Sequence, residues 1–137
     1  MLVENYDLVV IGGGAAGLVA SAFGGKFNLK VALIEREALG GDCTWTGCVP
    51  SKALLKVAKT AQSARRASKY GITTGEISVD MTKIRDYIKT VVAEIYAAET
   101  PSEFSKRGVE VILGEARFID YYSGLQSWFQ MGSFESK

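Results

Sequence analysis

Residues 7–35 read DLVVIGGGAAGLVASAFGGKFNLKVALIE, and the fold is decided there. Asp7 to Ile11 is a short, mostly apolar run closed by Gly12, Gly13 and Gly14. Such a run is expected of a strand buried on both faces of a parallel sheet. From Gly14 to Phe27 the small and apolar residues Ala15, Leu18, Val19 and Ala22 recur at helical spacing. Lys30 to Glu35 (KVALIE) has the make-up of a second buried strand. Strand, helix and strand within about thirty residues make a βαβ unit, whose crossover is right-handed.

Gly12-x-Gly14-x-x-Gly17 lies between the first strand and the helix. In that position the first glycine permits the tight turn and the second lets the backbone approach a pyrophosphate. The third lets the helix pack close to the sheet, and the phosphates face the positive end of that helix. Glu35 ends the second strand 23 residues after Gly12, where a carboxylate can hold ribose hydroxyls. A glycine-rich turn with no ligand is the bland alternative, and the flanking strands, helix and terminal acid argue against it. The pattern fits a dinucleotide without separating FAD from NAD.

Downstream, Glu37 to Gly47 has the glycine density of a loop, and Pro50 stands where a helix can start. The expected helix runs from Pro50 to about Lys69, with Leu54, Leu55, Ala58 and Ala61 as its inner face. It carries Lys52, Lys56, Lys59, Arg65, Arg66 and Lys69 and no acid, so residues 52–69 hold a charge of +6 between segments of −2 and −3. An RNA- or membrane-facing helix is one reading of that stripe, and a solvated outer face is the preferred one. A second long helix is expected over about Asp80 to Ala98, because Ile84, Ile88, Val91, Val92 and Ile95 share one face. Thr100-Pro101-Ser102-Glu103 is a capping box opening a short helix. Val109 to Leu113 reads as a third strand and Ala116 to Ile119 as a fourth. The order argues for an open α/β sheet with a long helical excursion between strands two and three. Tyr121, Tyr122, Trp128, Phe129 and Phe134 follow without periodicity.

The whole chain has 137 residues, 47% apolar and 23% charged, which is a globular composition of ordinary domain size. Its net charge of +1 gives no general case for nucleic acid, and a protein free of nucleic acid is expected. No segment approaches the roughly 18 apolar residues of a membrane span, so no membrane partner is expected. The N-terminal apolar run lacks a preceding basic region and ends in glycines, which makes a cytoplasmic protein the default. With no histidine, a Ser-His-Asp triad, a Cys-His pair and a His-ligated metal are excluded within these residues, and no metal site is expected.

Gly40 to Lys52 reads GGDCTWTGCVPSK, with four residues between Cys43 and Cys48. Two buried free thiols are one reading, since unpaired cysteine packs as a small hydrophobe. The other is a redox pair. Cys48 precedes the helix expected at Pro50, where the helix dipole and Lys52 both favour thiolate. The residues alone leave these two readings evenly matched.

GGGAAG, the acid at Glu35 and GGDCTWTGCVPSKALLK together resemble the FAD-dependent pyridine nucleotide–disulfide oxidoreductases, over about Tyr6 to Ile119. Within them the chain is most similar to the mercuric-reductase-like and dihydrolipoamide-dehydrogenase-like members. The resemblance implies a Rossmann-like α/β FAD-binding domain with a long helical insertion, residues 1–119 being its N-terminal part and 120–137 an unassigned tail. It implies that Gly12, Gly14 and Gly17 line the flavin's pyrophosphate, that Glu35 holds the ribose, and that Gly41 is a further cofactor-binding residue. Lys52 would lie beside the isoalloxazine, and Ala116 would meet the adenine through its backbone. Cys48 would face the flavin and Cys43 the substrate, a small disulfide or a soft metal ion. The implied intact enzyme is a homodimer passing electrons from NAD(P)H to FAD to the disulfide, in cell redox homeostasis. Asp42 departs from the threonine that many members carry there, so that side-chain contact is not implied. The family's nicotinamide and interface domains have no counterpart in these residues, and an N-terminal piece is expected: a truncated or frame-shifted product, or a partial sequence. A flavin-binding or assembly piece without turnover is the alternative.

Overall fold

The computed structural model describes residues 5–116, which form two compact units. Of the described residues, the first is built from 5–41 together with 98–116, and the second is Asp42–Ala97.

Unit 1 is a parallel sheet in the order β1-β2-β3, with β1 Leu8–Ile11, β2 Val31–Glu35 and β3 Val109–Leu113. Leu8 pairs with Val31 and Val31 with Val109, so all three strands end on the same side of the sheet. Helix α1, Ala15–Lys26, connects β1 to β2 and packs on the sheet. The core lies around the central strand: Val31, Ala32, Leu33 and Ile34 are all buried, with Leu18, Leu39, Phe104 and Val109 closing over them. Ser21 is buried in the interior side of α1, and its hydroxyl donates to the Gly17 carbonyl at 2.6 Å.

The buried-strand expectation holds for β2 and not for β1. As the edge of the described sheet β1 is only half-buried, and Ile11 is 48% exposed. A continuous apolar run reports burial potential, whereas position in the sheet decides burial. The short helix α5, Pro101–Ser105, begins with one half of the expected capping box: Thr100 Oγ1 accepts from the Glu103 N–H at 3.3 Å, while the Glu103 carboxylate accepts from the Lys106 ammonium instead. Of the expected fourth strand, Ala116 belongs to no strand, and 117–119 lie outside the described residues.

Unit 2 differs more from expectation. The segment read as a loop contains a one-turn helix, α2 Gly41–Trp45, which starts at the unit boundary. Helix α3 runs Cys48–Arg65 and is followed by a 3-10 turn, Ala67–Tyr70. It therefore starts two residues before Pro50, with Gly47 as its N-cap and Cys48 as its first residue. Proline is tolerated there because N–H groups of the first turn have no partner within the helix. The inner face is also displaced. Ala53 is buried and Val57, Ala61 and Ala64 are half-buried, whereas Leu54 and Leu55 are 47% and 58% exposed and Ala58 is exposed. Residue size drew the expectation to the leucines, while close packing of α3 on its neighbour uses the alanine row. That neighbour is α4, Met81–Tyr96, capped by Asp80, whose carboxylate accepts from the Thr82 and Lys83 N–H groups. Ile84, Ile88, Val91 and Val92 are half-buried as expected, and Ile95 at the end of the row is exposed.

Candidate functional site

In unit 1 the expected ligand residues collect at the carboxyl ends of the strands, where open α/β sheets bind their ligands. Gly12 leaves β1 with φ +96°, a conformation that glycine adopts without strain, and its N–H donates to the Ile34 carbonyl at 2.8 Å. A Cβ on Gly17 would collide with the Gly12 carbonyl oxygen, so the glycine allows α1 to start against the turn. Gly14 is different. It is the N-cap of α1 in an ordinary extended conformation, and a Cβ there would meet nothing within 4 Å. The fold itself does not require glycine at 14; its bare backbone leaves open the approach to the N–H groups of α1. That helix has no side-chain cap and no acid in its first turn. An uncapped, acid-free helix start suits a phosphate.

Glu35 ends β2, and its carboxylate is held on both oxygens. One accepts from the Gly13 N–H at 2.5 Å, the other from the Glu37 N–H at 2.8 Å. The backbone beyond extends the ladder, with the Gly114 N–H donating to the Glu35 carbonyl at 2.6 Å. Ala116, two residues further on, is half-buried at the same end of the sheet. Gly41 takes φ +53°, and a Cβ there would lie 2.9 Å from Gly14 Cα, so its turn approaches the glycine loop closely. Gly12, Gly14, Gly17, Gly41, Glu35 and Ala116 are thus brought to one end of unit 1.

Cys43, Cys48 and Lys52 all belong to unit 2. Cys43 lies in α2 and is half-buried; Cys48 opens α3 and is exposed; both are free thiols. The two interact directly. The Cys43 thiol is hydrogen-bonded to the Cys48 side chain, which holds its proton above the usual thiol range. Partial burial and the charge of an ionised Cys48 push the same way, while the Cys48 backbone N–H and the Lys52 ammonium oppose them. The start of α3 has no side-chain cap and no acid in its first turn. The arrangement can do thiol–disulfide chemistry: two free thiols on consecutive helices that influence each other's ionisation, and a cation that favours the thiolate of Cys43.

Sequence reasoning missed two features. The Gly13–Glu35 contact bridges residues 22 apart and leaves no local signature. The ring of Trp45, between the two cysteines, packs on Tyr96 of α4 at 4.8 Å between centroids. An aromatic residue set between two polar threonines in a glycine-rich stretch was the available signal.

The family model described as pyridine nucleotide-disulphide oxidoreductase matches residues 6–120. The chain is similar to a dihydrolipoyl dehydrogenase of Bacillus subtilis, 36% identical over 118 residues that make up 86% of this chain and 25% of that protein. It is 39% identical over 118 residues to the dihydrolipoyl dehydrogenase of Mycoplasma genitalium, covering 85% of this chain and 25% of the other. With the mercuric reductase of Lysinibacillus sphaericus the identity is 32% over 117 residues, or 85% of this chain and 21% of that enzyme. The chain spans about a quarter of the length of the curated dehydrogenases it matches.

Proposed function

The chain belongs to the pyridine nucleotide-disulphide oxidoreductase family, and from that premise we propose that it is an FAD-binding N-terminal portion with Cys43 and Cys48 as its redox-active pair. The observation that carries this reading is the placement of two free thiols on consecutive helices, Cys43 in α2 and Cys48 as the first residue of the uncapped α3, with Lys52 in the turn that follows.

The residues present fit FAD. The open backbone at Gly14 and the free N–H groups of α1 would receive the pyrophosphate, with Gly12, Gly17 and Gly41 keeping side chains out of its way. Glu35 would hold the adenosine ribose, Ala116 would offer its backbone to the adenine, and Lys52 would accompany the isoalloxazine. When bound, FAD supplies electron-pair transfer between NAD(P)H and a disulfide.

The chain's own residues do the exchange. In the intact enzyme the Cys43 thiolate attacks one sulfur of a small disulfide, forming a mixed disulfide and releasing one thiolate. The Cys48 thiolate then attacks the Cys43 sulfur, closing the Cys43–Cys48 disulfide and releasing the second. Two electrons pass to the substrate, and the two released thiolates take up protons. A soft metal ion bound by the two thiolates is the other substrate class, and pairing of two copies in a cytoplasmic enzyme belongs to the same reading.

Two measurements test it. FAD titration followed by flavin fluorescence should saturate, with Gly14→Val weakening binding by roughly tenfold or more. Thiol counting after one equivalent of diamide should show both thiols lost within a single chain. Binding of NAD with no binding of FAD, or disulfides formed only between chains, would overturn the proposal and leave the inactive assembly piece as the better reading.

A further inference from the structure

Helix α1 carries a second apolar face that its own sheet does not use. The side toward the sheet buries Leu18, Ser21 and Gly24. On the other side Ala16, Val19, Ala20, Phe23 and Phe27 are all exposed, Val19 to 58%, Phe23 to 57% and Phe27 to 70%. From Ala15 to Phe23 the only polar side chain is that of Ser21, which is turned inward. Apolar residues standing singly are ordinary on a surface, whereas a contiguous apolar stripe marks a contact face. A helix that is apolar all round is one covered on both sides.

Spacing and size point to what covers it. Ala16, Ala20, Phe23 and Phe27 follow at intervals of four, three and four, the seam by which one helix lies along another. The seam continues past the end of α1, because the Phe27 N–H still donates to the Phe23 carbonyl at 3.1 Å. The two rings stand side by side, with centroids 6.5 Å apart and planes at 34°. The stripe is thus small at its amino end and large at its carboxyl end. A second copy laid antiparallel across it, about a two-fold axis between residues 21 and 22, sets Phe23 against the partner's Ala20 and Phe27 against the partner's Ala16. Large meets small at every step, which close packing requires. Such a face is its own complement, as a two-fold contact demands. A parallel copy would set phenylalanine on phenylalanine and hold the alanines apart.

We propose that the outer face of α1 is a self-association surface, on which a second copy of the chain pairs antiparallel through Ala16, Ala20, Phe23 and Phe27. One helix face is smaller than the about 800 Å² per partner of a standard interface, so the dimer is weak, with a dissociation constant on the order of 100 μM. The proposal goes beyond the flavin and thiol reading. It uses neither cysteine and no residue assigned to the flavin, so either can fail without the other.

The test is sedimentation equilibrium of the 137-residue chain in reducing buffer without FAD, over about 10 μM to 1 mM. The average mass should climb toward that of a dimer across this range. Ala20→Lys and Phe23→Glu should each weaken pairing by about tenfold or more. Both positions are exposed, so the fold is kept, and far-ultraviolet circular dichroism checks it. An equimolar mixture of the two variants should pair again. In the antiparallel arrangement the introduced ammonium faces the introduced carboxylate across the seam, and the second Phe23–Ala20 contact is intact. A chain that stays monomeric throughout would overturn the proposal and leave the face to a different segment or protein. A dimer indifferent to both variants would place the contact elsewhere and overturn it equally. A mixture no better paired than either variant alone would exclude the antiparallel arrangement, and the proposal with it.

Discussion

Cys43 and Cys48 differ in what surrounds them, and the difference is measurable. Cys48 is exposed at the first position of α3, whereas Cys43 is half-buried and donates its proton toward Cys48. In the isolated chain iodoacetamide should therefore modify Cys48 first near neutral pH, and peptide mass spectrometry can rank the two rates. The linkage sign follows from the direction of the Cys43 shift. A folded pKa raised above the reference of 9.0 means that the folded chain holds this proton more tightly than the unfolded one. The contribution is fully present below that reference and is lost as pH rises through the raised value. Lys52→Gln removes a charge that favours the Cys43 thiolate, so it should raise Cys43 further and slow its alkylation. An unchanged Cys43 rate in Lys52→Gln would show that the ammonium does not act on this sulfur. At this scale the sequence was legible where chemistry is local. Gly12 and Gly17 could be read from spacing, because turn conformation and close approach are needed at fixed offsets. That Glu35 is already occupied by the Gly13 and Glu37 N–H groups could not, since it depends on the side chain folding back on the turn.

Helices show the same division between what is written locally and what packing decides. Capping residues are local, so Asp80 and Thr100 mark the starts of α4 and α5 directly. Replacing Asp80 by Ala removes the acceptor for two N–H groups and should cost about 1 kcal/mol, read from the urea midpoint at unchanged slope. Asp80→Asn should recover most of that loss, because the amide oxygen accepts the same bonds; no recovery would mean that charge, not capping, is what matters. The register of α3 was less legible. Its lysines and leucines suggested an inner face one position away from the row of Ala53, Val57, Ala61 and Ala64 that packs inward. Small side chains let two helices approach closely, and that approach has no signature until the partner helix is known. The same cause places the start of α3 at Cys48 instead of Pro50: a proline is compatible with several positions in a first turn, so it bounds the start without fixing it.

For the whole molecule, the division into units sets what an isolated chain can do with flavin. The residues proposed for the pyrophosphate, ribose and adenine all lie in unit 1, while Lys52 and the cysteines lie in unit 2. The parallel βαβ unit was legible because β1, the glycines that close it, α1 and β2 are determined by adjacent residues. The contents of the excursion were not, since its faces are defined by helix–helix contacts. The chain covers about a quarter of the length of its dehydrogenase relatives, so these residues offer only part of the contact surface proposed for FAD. Affinity should accordingly be weak, with a dissociation constant of about 1 μM or larger, equivalent to roughly −8 kcal/mol or less favourable. That value has a consequence for stability. A ligand that binds only the folded chain stabilises it by RT ln(1 + [L]/Kd), so FAD at about 100 times Kd should add about 2.7 kcal/mol. Thermal melts at rising FAD should therefore climb logarithmically once Kd is passed, and the curve yields Kd without any turnover assay. The location of binding is tested in the same experiment. Gly14→Val should move the climb to roughly tenfold higher FAD or beyond, because its side chain occupies the open approach to α1, while Trp45→Ala should leave it in place, because that ring packs on Tyr96 within unit 2. A melting temperature indifferent to FAD up to millimolar concentration would mean that the glycine turn and Glu35 do not suffice to hold the cofactor.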